Sequence, residues 1–183
     1  MQWPFYSSSR DEAVNYGGMG VGVGHELTHG FDDQGRKYDA DGNLRDWWEK
    51  EDAAEFQKRA QCLIDEYSGF EAIPGVHVNG KLTLGENTAD NGGVRLALLD
   101  FHGSETAPLV DGYTPAQRFF LGYAQIWCEN QTPEEARLRA KTDPHSPERF
   151  RVNGVLQNMP EFRNAFSCKA GQPMVASAGC RVW

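Results

Sequence analysis

Apolar residues recur at helical spacing through Phe56, Ala60, Leu63 and Tyr67, which predicts a helix running to about Ser68. Asp46 is placed to cap it, with Glu49 three residues on as in a capping box. Around residues 76–83 the period changes to two, and Asn79-Gly80 between short apolar runs signals a hairpin. His77 there reads as a surface strand residue. Beyond Leu84-Gly85 the run Val94, Leu96, Ala97, Leu98 and Leu99 predicts a second, mostly buried helix, with His102 on the surface just past it. In the C-terminal half, Thr114-Pro115, Thr132-Pro133 and Ser146-Pro147 each open a helix, because proline at the first helical position gives up no hydrogen bond. Residues 169–183 look irregular and tied down by Cys180.

The stretch 15–31 reads as a helix against its own propensity. Gly17, Gly18, Gly20, Gly22 and Gly24 each cost on the order of 1 kcal/mol relative to alanine. Gly18 and Gly22 share a face, which predicts another element packed closely on the backbone there. Asp32-Asp33-Gln34-Gly35 ends the helix and residues 39–43 form a turn-rich connection. A calcium loop starting at Asp39 would require glycine at its sixth position and glutamate at its twelfth, where Leu44 and Lys50 stand.

Composition narrows the classes. The 183 residues suffice for one domain with a substantial core, and 1–183 reads as a single domain. A formal charge of -8 with no compensating Lys/Arg cluster argues against nucleic acid as a partner. No apolar run approaches the roughly 18 residues that span a bilayer, so a soluble chain without membrane contact is expected. Cys62, Cys128, Cys168 and Cys180 form no Cys-x-x-Cys pair, which makes a structural zinc knuckle improbable and leaves disulfides or buried thiols.

The candidate chemistry lies in His25-Glu26-Leu27-Thr28-His29. Residues four apart on a helix share a face, so His25 and His29 can offer two imidazole nitrogens to one metal ion. Zinc takes such ligands, and its catalytic sites keep one position for water. Glu26 lies beside the same face, placed to take a proton from that water. The next histidine of a metzincin is missing, since Asp32 and Gly35 stand where Gly and His are required. Two carboxylates compete as third ligand. Glu49 follows His29 by 20 positions but already has a capping role. Glu86 is co-facial with Asp90 at the start of a buried helix, and buried carboxylates need a charge partner. A helix N-terminus would account for Glu86, less well for Asp90 one turn deeper.

Asn15-Tyr16-Gly17-Gly18, the stretch from His25 to Asp33, Gly85-Glu86-Asn87-Thr88-Ala89-Asp90-Asn91-Gly92-Gly93 and the final Cys180-Arg181-Val182-Trp183 resemble the neprilysin family of zinc endopeptidases. The resemblance implies a mainly α (α+β) fold with a gluzincin, thermolysin-like zinc-helix core, a small hairpin or sheet and several packed C-terminal helices. It implies one zinc ion held by His25, His29 and Glu86, with Glu26 as catalytic base and Asp90 bonded to His25. Asp143-Pro144-His145-Ser146-Pro147 with Phe150-Arg151 resembles the family's later active-site segment, which implies that His145 stabilises the oxyanion and Arg151 binds a substrate carbonyl. The implied reaction is hydrolysis of peptide substrates by a zinc-polarised water, outside the cytoplasm.

The resemblance covers only the family's C-terminal catalytic portion, without its large N-terminal lobe or its upstream substrate-gripping segment. That leaves two readings open: an active endopeptidase, or a zinc-binding but proteolytically silent domain that needs the missing lobe. By resemblance Cys62 pairs with Cys180, and Cys128 and Cys168 lack their usual partners. Trp47 and Trp48 read as core or lobe-packing residues.

Overall fold

A computed structural model describes residues 2–103 and 107–183. It is mostly helical with one two-stranded sheet, as the apolar pattern and the resemblance both imply. The elements are α1 (Glu12–Asn15), α2 (Val21–His29), α3 (Lys50–Ser68), β1 (Glu71–Ile73), β2 (Val76–His77), α4 (Leu84–Asp100), α5 (Pro115–Gln125), α6 (Pro133–Thr142), α7 (Glu148–Leu156) and α8 (Pro160–Ala165). Residues Tyr16–Gly20 form a π-helical turn that joins α1 to α2 in one helical path. That wider turn absorbs the run of glycines at the point where α5 crosses.

The glycines of this path act only in part at the positions their periodicity predicts. Gly22 faces open space, whereas Gly18 does have a close neighbour, since a Cβ added there would lie 2.6 Å from the Phe5 carbonyl oxygen. The close crossing is made by Gly24. A Cβ added there would lie 2.7 Å from the Gly93 carbonyl oxygen, and one added at Gly93 would lie 2.6 Å from the His25 nitrogen. Helices α2 and α4 therefore touch backbone to backbone, an approach that only glycine permits.

Helix α3 buries Phe56, Ala60, Leu63 and Tyr67, the predicted stripe. Its start differs from the expectation. The helix begins at Lys50 behind Glu49, with no side-chain cap from Asp46 or Glu49. Aromatic packing holds the preceding residues extended: Trp47 Nε1 donates to the Tyr38 carbonyl at 2.8 Å, and Trp48 packs edge-on against Phe56 and Trp183. The hairpin also lies earlier than its turn signal. Its turn is Pro74-Gly75, with Gly75 at φ +78 and register Glu71↔His77 and Ile73↔Val76. Asn79-Gly80 instead leads into α4: Asn79 Oδ1 accepts from the Leu82 amide, and a Cβ at Gly80 would collide with the Ile64 carbonyl.

Thr114 and Thr132 cap α5 and α6 through their hydroxyls, as their Thr-Pro pairs predict. Ser146 does not cap α7, because its hydroxyl is directed to Asn87 on α4. Helix α8, which is not among the expected elements although Pro160 stands at its first position, docks Phe162 on Phe120 of the core cluster around Phe119 and Tyr123. A second cluster gathers α3, Val78, Leu84 and the C-terminal Val182, and the Cys62–Cys180 disulfide staples the tail to it. Cys128 is exposed and Cys168 half-buried, both as free thiols.

Gly93→Ala forces α2 and α4 apart and is expected to destabilise the fold by about 1–3 kcal/mol, the usual range for overpacking. Thermal unfolding with a parallel zinc titration checks this. The variant should lose melting temperature and bind zinc more weakly, because Glu86 then moves away from the two histidines.

Candidate metal centre

Helix α2 presents His25 and His29 one turn apart, and α4 brings Glu86 to them from its first turn. The two Nε2 atoms lie 3.0 Å apart. Glu86 places Oε2 3.3 Å from His25 Nε2 and Oε1 3.6 Å from His29 Nε2. One ligand atom from each of the three falls within 4.8 Å of the others, so the carboxylate gathered with the histidines is Glu86. Glu49 is exposed at the start of α3, where it lines a groove with Phe31, Trp47 and Trp183.

The hydrogen bonds behind the rings decide what the cluster can hold. His25 Nδ1 faces Asp90 Oδ1 at 2.8 Å and His29 Nδ1 faces Asp32 Oδ2 at 2.7 Å. A carboxylate can only accept, so each Nδ1 carries the proton and each Nε2 turns a lone pair inward. Two lone pairs at this separation repel unless a cation lies between them. A proton or a metal ion can fill that role, and two imidazoles with one carboxylate is a donor set that suits zinc. Carboxylates behind ligand histidines are the usual way of fixing ring tautomer and direction.

The electrostatics agree with this arrangement. Burial works against the charged form of His25, but hydrogen bonds to Asp90 and Glu86 and the charge of Asp90 outweigh it and raise its pKa to about 9. Burial pushes the Glu86 carboxyl up, yet the hydrogen bond from His25 and the neighbouring His145, His29 and Arg151 bring it below its ordinary value. Asp90 is 1% exposed. Burial raises its pKa as well, and the Arg151 guanidinium and His25 more than reverse this. Arg151 makes a two-pronged pair with Asp90, Nε to Oδ2 and Nη2 to Oδ1, both at 2.7 Å. Its guanidinium lies 3.9 Å from the Trp127 ring centroid.

The remaining residues singled out in the sequence surround this cluster. Glu26 is exposed on the same turn as His25, between exposed Val23 and Leu27. His145 reaches in from the loop before α7, with Nε2 3.3 Å from Glu86 Oε2. Asp143 Oδ1 accepts from both the His145 amide and its Nδ1, at 2.9 and 2.8 Å. The Asp143 carboxyl falls to about 2, because hydrogen bonds from His145 and Arg139 overcome its burial. Beside His145 and Arg151 opens a cavity of about 330 Å³, lined also by Trp127 and Cys128. Asp32 and Asp143 had no assigned role in the sequence. For Asp32 a signal existed, since an acid three residues after a helical histidine lies on the same face. It is 5% exposed, and its Oδ1 is pinned by the Gln34 and Gly35 amides.

Two helices that cross at paired glycines and bring two imidazoles and a carboxylate to one point give the molecule a gluzincin-like core. The chain belongs to peptidase family M13, whose model matches residues 1–182. It is 48% identical over 192 residues to neprilysin-1 of Caenorhabditis elegans, an alignment that takes in 100% of this chain and 26% of that protein. Human endothelin-converting enzyme 1 is 48% identical over 189 residues, covering 100% of this chain and 24% of the enzyme. A crystal structure of a Mycobacterium tuberculosis zinc metalloprotease in complex with inhibitor superposes with a TM-score of 0.92 at 45% identity, over 100% of this chain and 29% of the other. This chain thus spans about a quarter of the length of these curated relatives.

The raised His25 value gives a pH dependence. Protonated His25 stabilises the fold fully below its ordinary pKa of 6.5, and that contribution is lost as pH rises through about 9. Chelator-treated protein should therefore lose melting temperature between these limits. Added zinc replaces the proton, so its stabilisation should be larger at pH 9 than at pH 6.5. Thermal scans across the range, with and without zinc, measure both trends.

Proposed function

We propose that this chain is the catalytic portion of a zinc-dependent endopeptidase that acts outside the cytoplasm. The observation that carries the reading is the convergence of His25, His29 and Glu86 with Glu26 on the adjacent exposed edge of α2. Family membership supports it, and the Cys62–Cys180 disulfide fits an oxidising compartment. Peptides are the proposed substrates, and one zinc ion per chain the proposed cofactor. Among the described residues no helix is long and apolar enough to cross a membrane.

When bound, zinc would supply Lewis acidity to polarise water and the scissile carbonyl. Glu26 accepts the proton of the attacking water and delivers it to the leaving amine nitrogen. Its exposure gives substrate direct access to the carboxylate. His145 donates from Nε2 to the carbonyl oxygen as that atom gains negative charge. Asp143, ionised at all working pH values, stabilises the doubly protonated ring this requires. Asp90 holds His25 in its tautomer and is itself neutralised by Arg151. Nε and Nη2 of Arg151 are engaged by Asp90, and Nη1 makes no protein hydrogen bond among the described residues. Nη1 is the group left to donate to a substrate backbone carbonyl, with the neighbouring cavity available to a side chain.

A second reading is a zinc-binding but silent module that needs the N-terminal lobe of its longer relatives. The exposure of Val23 at 53% and Leu27 at 64%, flanking Glu26, favours it, because such an apolar edge fits a covering element. Hydrolysis of an internally quenched peptide by the zinc-loaded chain decides between the two. Cleavage that falls by two or more orders of magnitude in Glu26→Gln at equal zinc content is expected. Zinc binding without any cleavage would transfer the assignment to the second reading.

A further inference from the structure

The loop that carries His145 is held from two sides. On one, Ser146 Oγ donates to Asn87 Oδ1 at 2.7 Å, next to Glu86 on α4. On the other, Asp143 uses Oδ1 for His145 and Oδ2 for Arg139 Nε, at 2.8 Å. The same guanidinium reaches two further segments through Nη1, to Glu148 Oε1 in the first turn of α7 at 2.9 Å and to Glu129 Oε1 at 3.1 Å. Gln131 Nε2 ties those two glutamates to each other.

Arg139 sits in α6, which has no buried residue. Apolar packing therefore does little to fix the end of α6 that leads into the His145 loop. A single exposed ion pair would hold little as well. Here one guanidinium, 27% exposed, engages three carboxylates from three segments, and its planar fork satisfies them in one geometry. Asp143 has its second oxygen fixed by this clamp, so the oxygen that orients His145 cannot rotate away.

We propose that Arg139 is a positioning residue for His145, acting through Asp143 to aim the ring Nε2 at the space beside Glu86. The inference rests on the reading of His145 as donor to the reacting carbonyl oxygen. It makes α6 part of the reaction machinery and gives a second task to the 126–131 segment, whose Trp127 and Cys128 also line the cavity beside Arg151.

The test compares Arg139→Met, Arg139→Lys, His145→Ala and the Arg139→Met/His145→Ala double variant in the whole chain. Two readouts are taken, steady-state hydrolysis of a quenched peptide and hydrogen exchange at the His145 amide. In Arg139→Met, kcat should fall on the order of tenfold or more, the scale of a misplaced catalytic group, with KM nearly unchanged. Lysine should recover part of the loss. In the His145→Ala background, Arg139→Met should add nothing, since the two residues act in series. The His145 amide, which donates to Asp143, should exchange faster in Arg139→Met and more slowly again in Arg139→Lys, with the core of α4 unchanged. Equal losses in both backgrounds would mean a merely structural role and overturn the proposal, as would unaltered exchange at His145 or a His145→Ala variant with full kcat. Should the parent chain cleave no peptide, the peptidase reading fails separately and the exchange comparison alone decides the clamp.

Discussion

The backbone contact between Gly24 and Gly93 is the constraint on which the other features depend. With side chains at either position, α2 and α4 would stand farther apart, and Glu86 would lie out of reach of His25 and His29. The cost of so many glycines in one helical path is met by tertiary packing: α5 covers the π-helical turn and α4 covers α2. Low intrinsic helicity and a close crossing have the same origin here.

That crossing also buries charge, and the molecule resolves this in layers. The inward layer is two imidazoles and Glu86. Behind it Asp90 and Asp32 fix the rings, and behind Asp90 lies Arg151, stacked on Trp127. A buried carboxylate without such partners would take up a proton and cease to orient anything. The parallel arrangement around His145 follows the same rule at the surface, with Asp143 behind the ring and Arg139 behind Asp143. Each imidazole is thus backed by a carboxylate, and in two of the three cases that carboxylate is backed by an arginine.

Much of this was legible in the sequence where one local period carries the information. The pair His25 and His29 follows from the four-residue repeat, as do the α3 stripe and the co-facial Glu86 and Asp90. Resemblance supplied the links between distant segments, including Cys62 to Cys180. What escaped depends on contacts between elements. Asp46 has the chemistry of a cap, but Trp47 and Trp48 are committed to Tyr38, Phe56 and Trp183 and hold the chain extended. Asn79-Gly80 has hairpin chemistry, yet Gly80 is required by the nearby Ile64 carbonyl. Gly18 and Gly22 share a face, whereas the face that matters is chosen by the position of α4. The partner of Arg151 is an aspartate 61 residues away, which no local pattern can announce.

The most direct measurement is X-ray absorption at the zinc edge of the chain loaded with one equivalent of metal, on the parent and on Glu86→Gln. A centre built from His25, His29 and Glu86 predicts nitrogen and oxygen neighbours at about 2.0–2.2 Å with the outer-shell scattering of two imidazole rings. The Glu86→Gln variant should keep the imidazole signal and bind zinc more weakly. Sulfur neighbours at about 2.3 Å, which would come from Cys128 or Cys168, or a spectrum with one imidazole or none, would contradict the assignment.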